Sequence, residues 1–73
     1  MISYAPLMST LHQRKISKTD LQKLINVSSA TIAKISKDEL VSLKVIDDIC
    51  TVLNCKIEDV IEHVKKDNNK TTE

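Results

Sequence analysis

Residues 17–37 read SKTDLQKLINVSSATIAKISK, and this stretch decides the fold. Leu21, Leu24 and Ile25 stand three and four apart, the spacing of one apolar helix face. Ser17 precedes them and can cap that helix. A second helix, capped by Ser28 or Ser29, carries Ile32 and Ile35 inward. Asn26-Val27-Ser28 lies between the two. Asn26 is the non-glycine residue that best tolerates the left-handed backbone such a turn needs. Two short helices joined in this way have the spacing of a helix-turn-helix.

The rest of the composition supports a small helical domain. Seventy-three residues allow one domain and one core, and the chain has no Gly, Phe or Trp, one Pro and one Tyr. Without glycine it is poorly supplied for β-hairpin turns, so an all-α fold is predicted. The core must be built from Leu, Ile and Val, each contributing about 1.5–3 kcal/mol on burial. In so small a domain that barely offsets chain entropy, so dimerisation or ligand binding would add stability. The net charge is only +1, but it is unevenly spread. Residues 1–37 hold six basic side chains against Asp20 alone, a net +5; residues 38–73 hold five against nine acids, a net −4. The basic half coincides with the paired helices, which suggests a phosphate-facing side.

Outward from the centre, Pro6 suits the first turn of an N-terminal helix, where its missing amide would be unpaired anyway. Leu7, Met8 and Leu11 follow at helical spacing, with Tyr4 able to fold back on them. Arg14 and Lys15 end this helix at its negative pole, and Ile16 acts as a staple beside Ser17. After residue 37 a polar loop carries Leu40 and Val41 as apolar anchors. Ser42 then caps a helix from Leu43 to Leu53 with Leu43, Ile46, Ile49, Cys50 and Leu53 inward and Asp47 and Asp48 outward. Asn54 suits a left-handed helix end. Ile57, Val60, Ile61 and Val64 predict a fifth helix over roughly 57–64. Residues 1–66 form the domain, and the polar tail, 67–73, is expected to be disordered.

The run Leu21-Gln22-Lys23-Leu24-Ile25-Asn26-Val27-Ser28 resembles the motif of XRE-type (Cro/cI-like) helix-turn-helix regulators. That motif has an apolar residue, a small one, two more apolar ones, a turn glycine, an apolar residue and a serine. Ser42-Leu43, Ile46, Ile49-Cys50 and Leu53-Asn54-Cys55 are similar to the family's fourth helix, and Ile57-Glu58-Asp59-Val60 to the start of its fifth. Gln22 departs from the usual small residue and Asn26 from the usual glycine. The resemblance covers about residues 4–64. It implies a compact five-helix, lambda-repressor-like DNA-binding domain with its helix-turn-helix in helices 2 and 3.

The expected function follows from that resemblance together with the chemistry of the tip. A reading helix needs small or polar residues at its start so that backbone can approach base edges and phosphates. Ser28-Ser29-Ala30-Thr31 meets the requirement. By family position Ser29, Ala30, Thr31 and Lys34 face the bases, on a reading helix of about Ser29–Ser36. Ser17, Lys18, Thr19, Ser28 and Lys37 clamp phosphates. Ala30 and the Thr31 methyl suit a thymine methyl, and Lys34 a guanine edge or a phosphate. With no Arg, Asn or Gln at the tip, discrimination should be modest and partly shape-based. The partners expected are double-stranded DNA and a second copy of the chain, because one module covers too few base pairs to discriminate sites. The alternative is an antitoxin-like or accessory interaction module that uses the fold without DNA. Ser17, Ser28 and Ser42 would then be plain caps and the lysines solvated surface.

Other chemistries find little support. Cys50 and Cys55 with His63 offer three ligands at a spacing foreign to structural zinc sites. No glycine loop for phosphate, no catalytic triad and no cofactor site is evident, so neither an enzyme, a cofactor nor a bound metal is expected. The N-terminus lacks a signal-peptide pattern and no apolar run could span a bilayer, which makes a cytoplasmic, thiol-reducing location the expectation and membrane association unexpected.

Overall fold

The computed structural model describes residues 1–65. The elements run β1 (Ile2–Ser3), α1 (Ala5–Arg14), α2 (Lys18–Ile25), α3 (Ser29–Ser36), α4 (Leu43–Leu53), a 3₁₀ turn (Ile57–Asp59) and β2 (Glu62–His63). Four α-helices, rather than five, surround a core of Tyr4, Leu7, Leu11, Leu21, Ile25, Ile35, Ile46, Ile49, Leu53 and Val60. The domain expected over 1–66 is thus described almost to its end, while the predicted 67–73 tail lies outside the described residues.

Local chemistry sets each boundary. Pro6 sits in the first turn of α1 as expected. Ser17 caps α2 in a capping box: its Oγ accepts from the Asp20 amide at 3.0 Å, and Asp20 Oδ2 accepts from the Ser17 amide at 3.3 Å. Ser28, not Ser29, caps α3, its Oγ accepting from the Thr31 amide at 3.3 Å. Ser42 caps α4 through the Val45 amide at 3.4 Å. Asn26 and Asn54 end α2 and α4 with left-handed backbone, φ 55° and 50°. Arg14 reaches across from α1 to donate to the Leu53 carbonyl at the C-terminus of α4, where a cation is favourable.

The predicted fifth helix stops after one 3₁₀ turn, for reasons visible in its carbonyls. The Asp59 carbonyl accepts from Thr10 Oγ1 at 2.8 Å and the Val60 carbonyl from the Leu7 amide at 3.1 Å. A continuing helix would need those carbonyls for the amides of His63 and Val64. α1 takes them instead, satisfying one of its own orphan first-turn amides. The chain past Val60 then straightens and pairs antiparallel with β1, Ile2 opposite His63 and Ser3 opposite Glu62. The fold remains helical in class, tied at its ends by this two-residue ladder.

Burial corrects five further expectations. Leu24, Leu43, Ile57 and Val64 were expected inward but are exposed, Leu43 by 75%. Leu43 is the first residue of α4, a turn ahead of Ile46, and overhangs the core there. Ile57 and Val64 lose their inward register with the helix that was to carry them. Leu40 is no anchor either, at 71% exposed, while Val41 packs half-buried against the core. Cys50 is half-buried at the edge of the α4 stripe. Asp47 is exposed and Asp48 half-buried, its carboxylate 2.9 Å from Lys44 Nζ one turn back.

Candidate nucleic-acid interface

α2 and α3 are joined by a turn of three residues, and both are amphipathic. Leu21 and Ile25 bury the inner face of α2. Ile35 is the one fully buried residue of α3, with Ile32 half-buried beside it. The other side of α3 is bare: Ser29, Ala30, Ala33, Lys34 and Lys37 are all exposed, spaced along one helical face. Three of the base-facing candidates, Ser29, Ala30 and Lys34, lie on it. The fourth, Thr31, is half-buried, and its Oγ1 lies 3.3 Å from Ser28 Oγ, so its hydroxyl shares the cap rather than projecting freely. Ala33 was not singled out from the sequence. Its place one turn after Ala30 is the signal that could have found it.

The phosphate candidates Ser17, Lys18, Thr19, Ser28 and Lys37 are exposed as well. The hydroxyls of Ser17 and Ser28 are engaged as caps. What each helix start retains for an anion is its positive pole and its first two amides, those of Lys18 and Thr19 on α2 and of Ser29 and Ala30 on α3, which have no intrahelical carbonyl partner. Asp20 in the α2 capping box places a carboxylate at one of these poles and weakens it. Lys18 offsets that charge: its Nζ donates to Ser36 Oγ at 3.0 Å, holding a cation between the start of α2 and the end of α3. Ser36 is a second residue that sequence reasoning missed, since nothing in the spacing pairs it with Lys18.

The cysteines sit away from this face. Cys50 and Cys55 are brought together by the turn that ends α4, where the Cys55 amide donates to the Cys50 carbonyl at 3.1 Å. Burial, and then the adjacent Cys55 thiol, push the Cys50 thiol above its ordinary value near 9.0. His63 is held instead in β2, its Nε2 3.4 Å from the Met1 amino group. Among the described residues no three His, Cys, Asp or Glu side chains gather as a metal site, and no helix is long and apolar enough to cross a membrane.

Two short helices with a tight left-handed turn, packed on α1 and α4 with the second helix exposed along one face, define a helix-turn-helix domain. A family model described as the Cro/C1-type HTH DNA-binding domain matches residues 7–66, and the chain belongs to that family. The crystal structure of the transcriptional regulator VanUg, form II, is similar to it with a TM-score of 0.86 and 40% sequence identity, over 89% of this chain and 87% of that one. No curated protein sequence matches the chain.

Proposed function

We propose that this protein is a sequence-selective transcriptional regulator that lays α3 in the major groove of double-stranded DNA and acts as a repressor. The exposed face of α3, with small residues at its tip and Lys34 and Lys37 behind them, is the observation that carries the reading. Small side chains at the tip let the backbone approach the base edges, and Ser29, Ala30 and Lys34 read them. Lys18, Lys37 and the helix-start amides fix the register on phosphates. Occupancy alone is enough to exclude other proteins from a promoter, so repression needs no group beyond this DNA-facing surface. Two copies would read half-sites roughly 34–36 Å apart, one turn of the duplex. The kinship with a family of DNA-binding domains and the likeness to a solved transcriptional regulator support the same reading.

The test is selection of duplexes from a random-sequence library, followed by Lys34→Ala with Ser29→Ala, both exposed. The double variant should lose selectivity for the enriched duplex while thermal stability stays nearly unchanged; unaltered selectivity would remove α3 from the reading role. A second reading, an interaction module without DNA affinity, has one observation in its favour: the exposure of Leu40 and Leu43 on either side of Ser42. The absence of binding to any duplex would select it.

A further inference from the structure

α3 is weakly held by packing. Ile35 is its only fully buried side chain, so the helix could pivot about that point unless both ends are fixed. The Asn26–Ser28 turn fixes the first end. The second end is fixed by Tyr4, which is 2% exposed and lies in the segment between β1 and α1. Its phenol donates to the Glu39 carbonyl at 2.7 Å, and its backbone amide donates to Asp38 Oδ1 at 3.0 Å. Asp38 and Glu39 are the residues that close α3: the Glu39 amide donates to the Lys34 carbonyl at 2.8 Å, and Asp38 takes the left-handed backbone, φ 56°. Below this junction the packing opens into a cleft of about 230 Å³ lined by Tyr4, Met8, Ile35 and Asp38 among others. Beside the single buried anchor Ile35, directional hydrogen bonds therefore fix the end of α3.

We propose that Tyr4 and Asp38 are positioning residues for DNA recognition: their paired hydrogen bonds set the angle at which α3 meets the groove. Selectivity between sequences then depends on a buried hydroxyl that cannot touch DNA. Nonselective attraction does not, because Lys18, Lys34 and Lys37 keep their charge and exposure when α3 tilts, and that attraction needs no base register. The same pair links the β1–β2 ladder to α3, since Tyr4 directly follows Ser3 of β1.

This proposal rests on the DNA-binding reading, and the experiment separates the two. The probes are a duplex enriched from a random library by the unaltered chain and a scrambled duplex of equal length and composition. Tyr4→Phe keeps the ring and removes one hydrogen bond; the ratio of affinities for the two duplexes should fall by up to about tenfold, with affinity for the scrambled duplex unchanged. Asp38→Ala should lower the ratio likewise. Asp38→Asn, which keeps an acceptor and tolerates left-handed backbone, should restore it. Ile49→Val, a core change elsewhere, controls for stability. Ratios unchanged in Tyr4→Phe and Asp38→Ala, or an equal fall in Ile49→Val, would overturn the positioning role while leaving DNA binding intact. Failure of the unaltered chain to enrich any duplex would overturn both.

Discussion

The salt dependence of DNA binding provides a quantitative test, because the lysines of the proposed interface can be counted. Lys18, Lys34 and Lys37 are exposed along α2 and α3. If each displaces one condensed counterion, the slope of log affinity against log salt should be roughly −0.9 per lysine, or about −2.7 per chain. Raising salt from about 50 to about 200 mM should then weaken a single module by roughly 40-fold, and a pair on a two-fold site by roughly 1,800-fold. Lys18→Gln or Lys37→Gln should each flatten the slope by about 0.9 per chain, with little change in which duplex is preferred. Lys23 is also exposed on α2 but has no assigned contact, so Lys23→Gln serves as the control and should leave the slope alone. Fluorescence anisotropy of a labelled duplex over a salt series reads all four chains. A flat salt response, or Lys23→Gln flattening the slope as much as Lys18→Gln, would refute the placement of Lys18 and Lys37 on phosphates.

Three further outcomes test how the fold holds that surface. Asn26→Ala puts a Cβ without side-chain compensation into left-handed backbone and should cost about 1–2 kcal/mol in urea unfolding, whereas Asn26→Gly should not destabilise. Ser42→Ala should cost about 1 kcal/mol, a fall in Tm of about 4–8 °C by thermal circular dichroism, with DNA selectivity unchanged because Ser42 only caps α4. Alkaline stability has a worked sign: burial, then the Asp38 charge, hold the Tyr4 phenol above its ordinary 10.0, with the Val41 backbone opposing. Ionisation therefore occurs first in the unfolded chain, so the stabilisation is complete below pH 10.0 and is lost as pH rises toward the folded value. Cys50, also raised, gives an earlier decline from near 9.0; Tyr4→Phe should abolish only the later one in urea titrations from pH 8 to about 11.

The helix-turn-helix was legible because its determinants are local. Ser17, Ser28 and Ser42 cap within their own first turns, Asn26 and Asn54 take the left-handed backbone their side chains tolerate, and the apolar spacing of α2 and α3 names Leu21, Ile25 and Ile35. What failed was nonlocal. The periodicity of Ile57, Val60, Ile61 and Val64 is a fair helical stripe, yet Thr10 and Leu7, some fifty residues earlier in the chain, take the carbonyls that helix would need. No local pattern announces that competition, nor the pairing of β1 with β2. Leu24 and Leu43 failed differently: spacing says which residues share a face, but not how far the core extends along it. On the candidate surface, the family resemblance pointed to Ser29, Ala30 and Lys34 as outward-facing, whereas the engagement of Thr31 with Ser28, and of Lys18 with Ser36, needed coordinates.

The absence of glycine links the fold to its proposed function. Four residues among those described take positive φ without being glycine: Lys15, Asn26, Asp38 and Asn54. Each follows the end of a helix, where glycine would carry no steric penalty. Asn26 and Asn54 are the mildest substitutes, which is why the sequence betrays them. Lys15 lacks a short side chain to compensate, so the penalty there goes unrelieved, and nothing in the structure explains its use. Asp38 is another matter. Glycine there would relax the backbone but could not accept from the Tyr4 amide, and the end of α3 would lose half of its tether. An unfavourable backbone conformation retained where the side chain forms a long-range hydrogen bond is what a positioning role requires. On the proposed reading, the strain at Asp38 and the orientation of α3 have one physical origin, in a carboxylate held 3.0 Å from a buried amide.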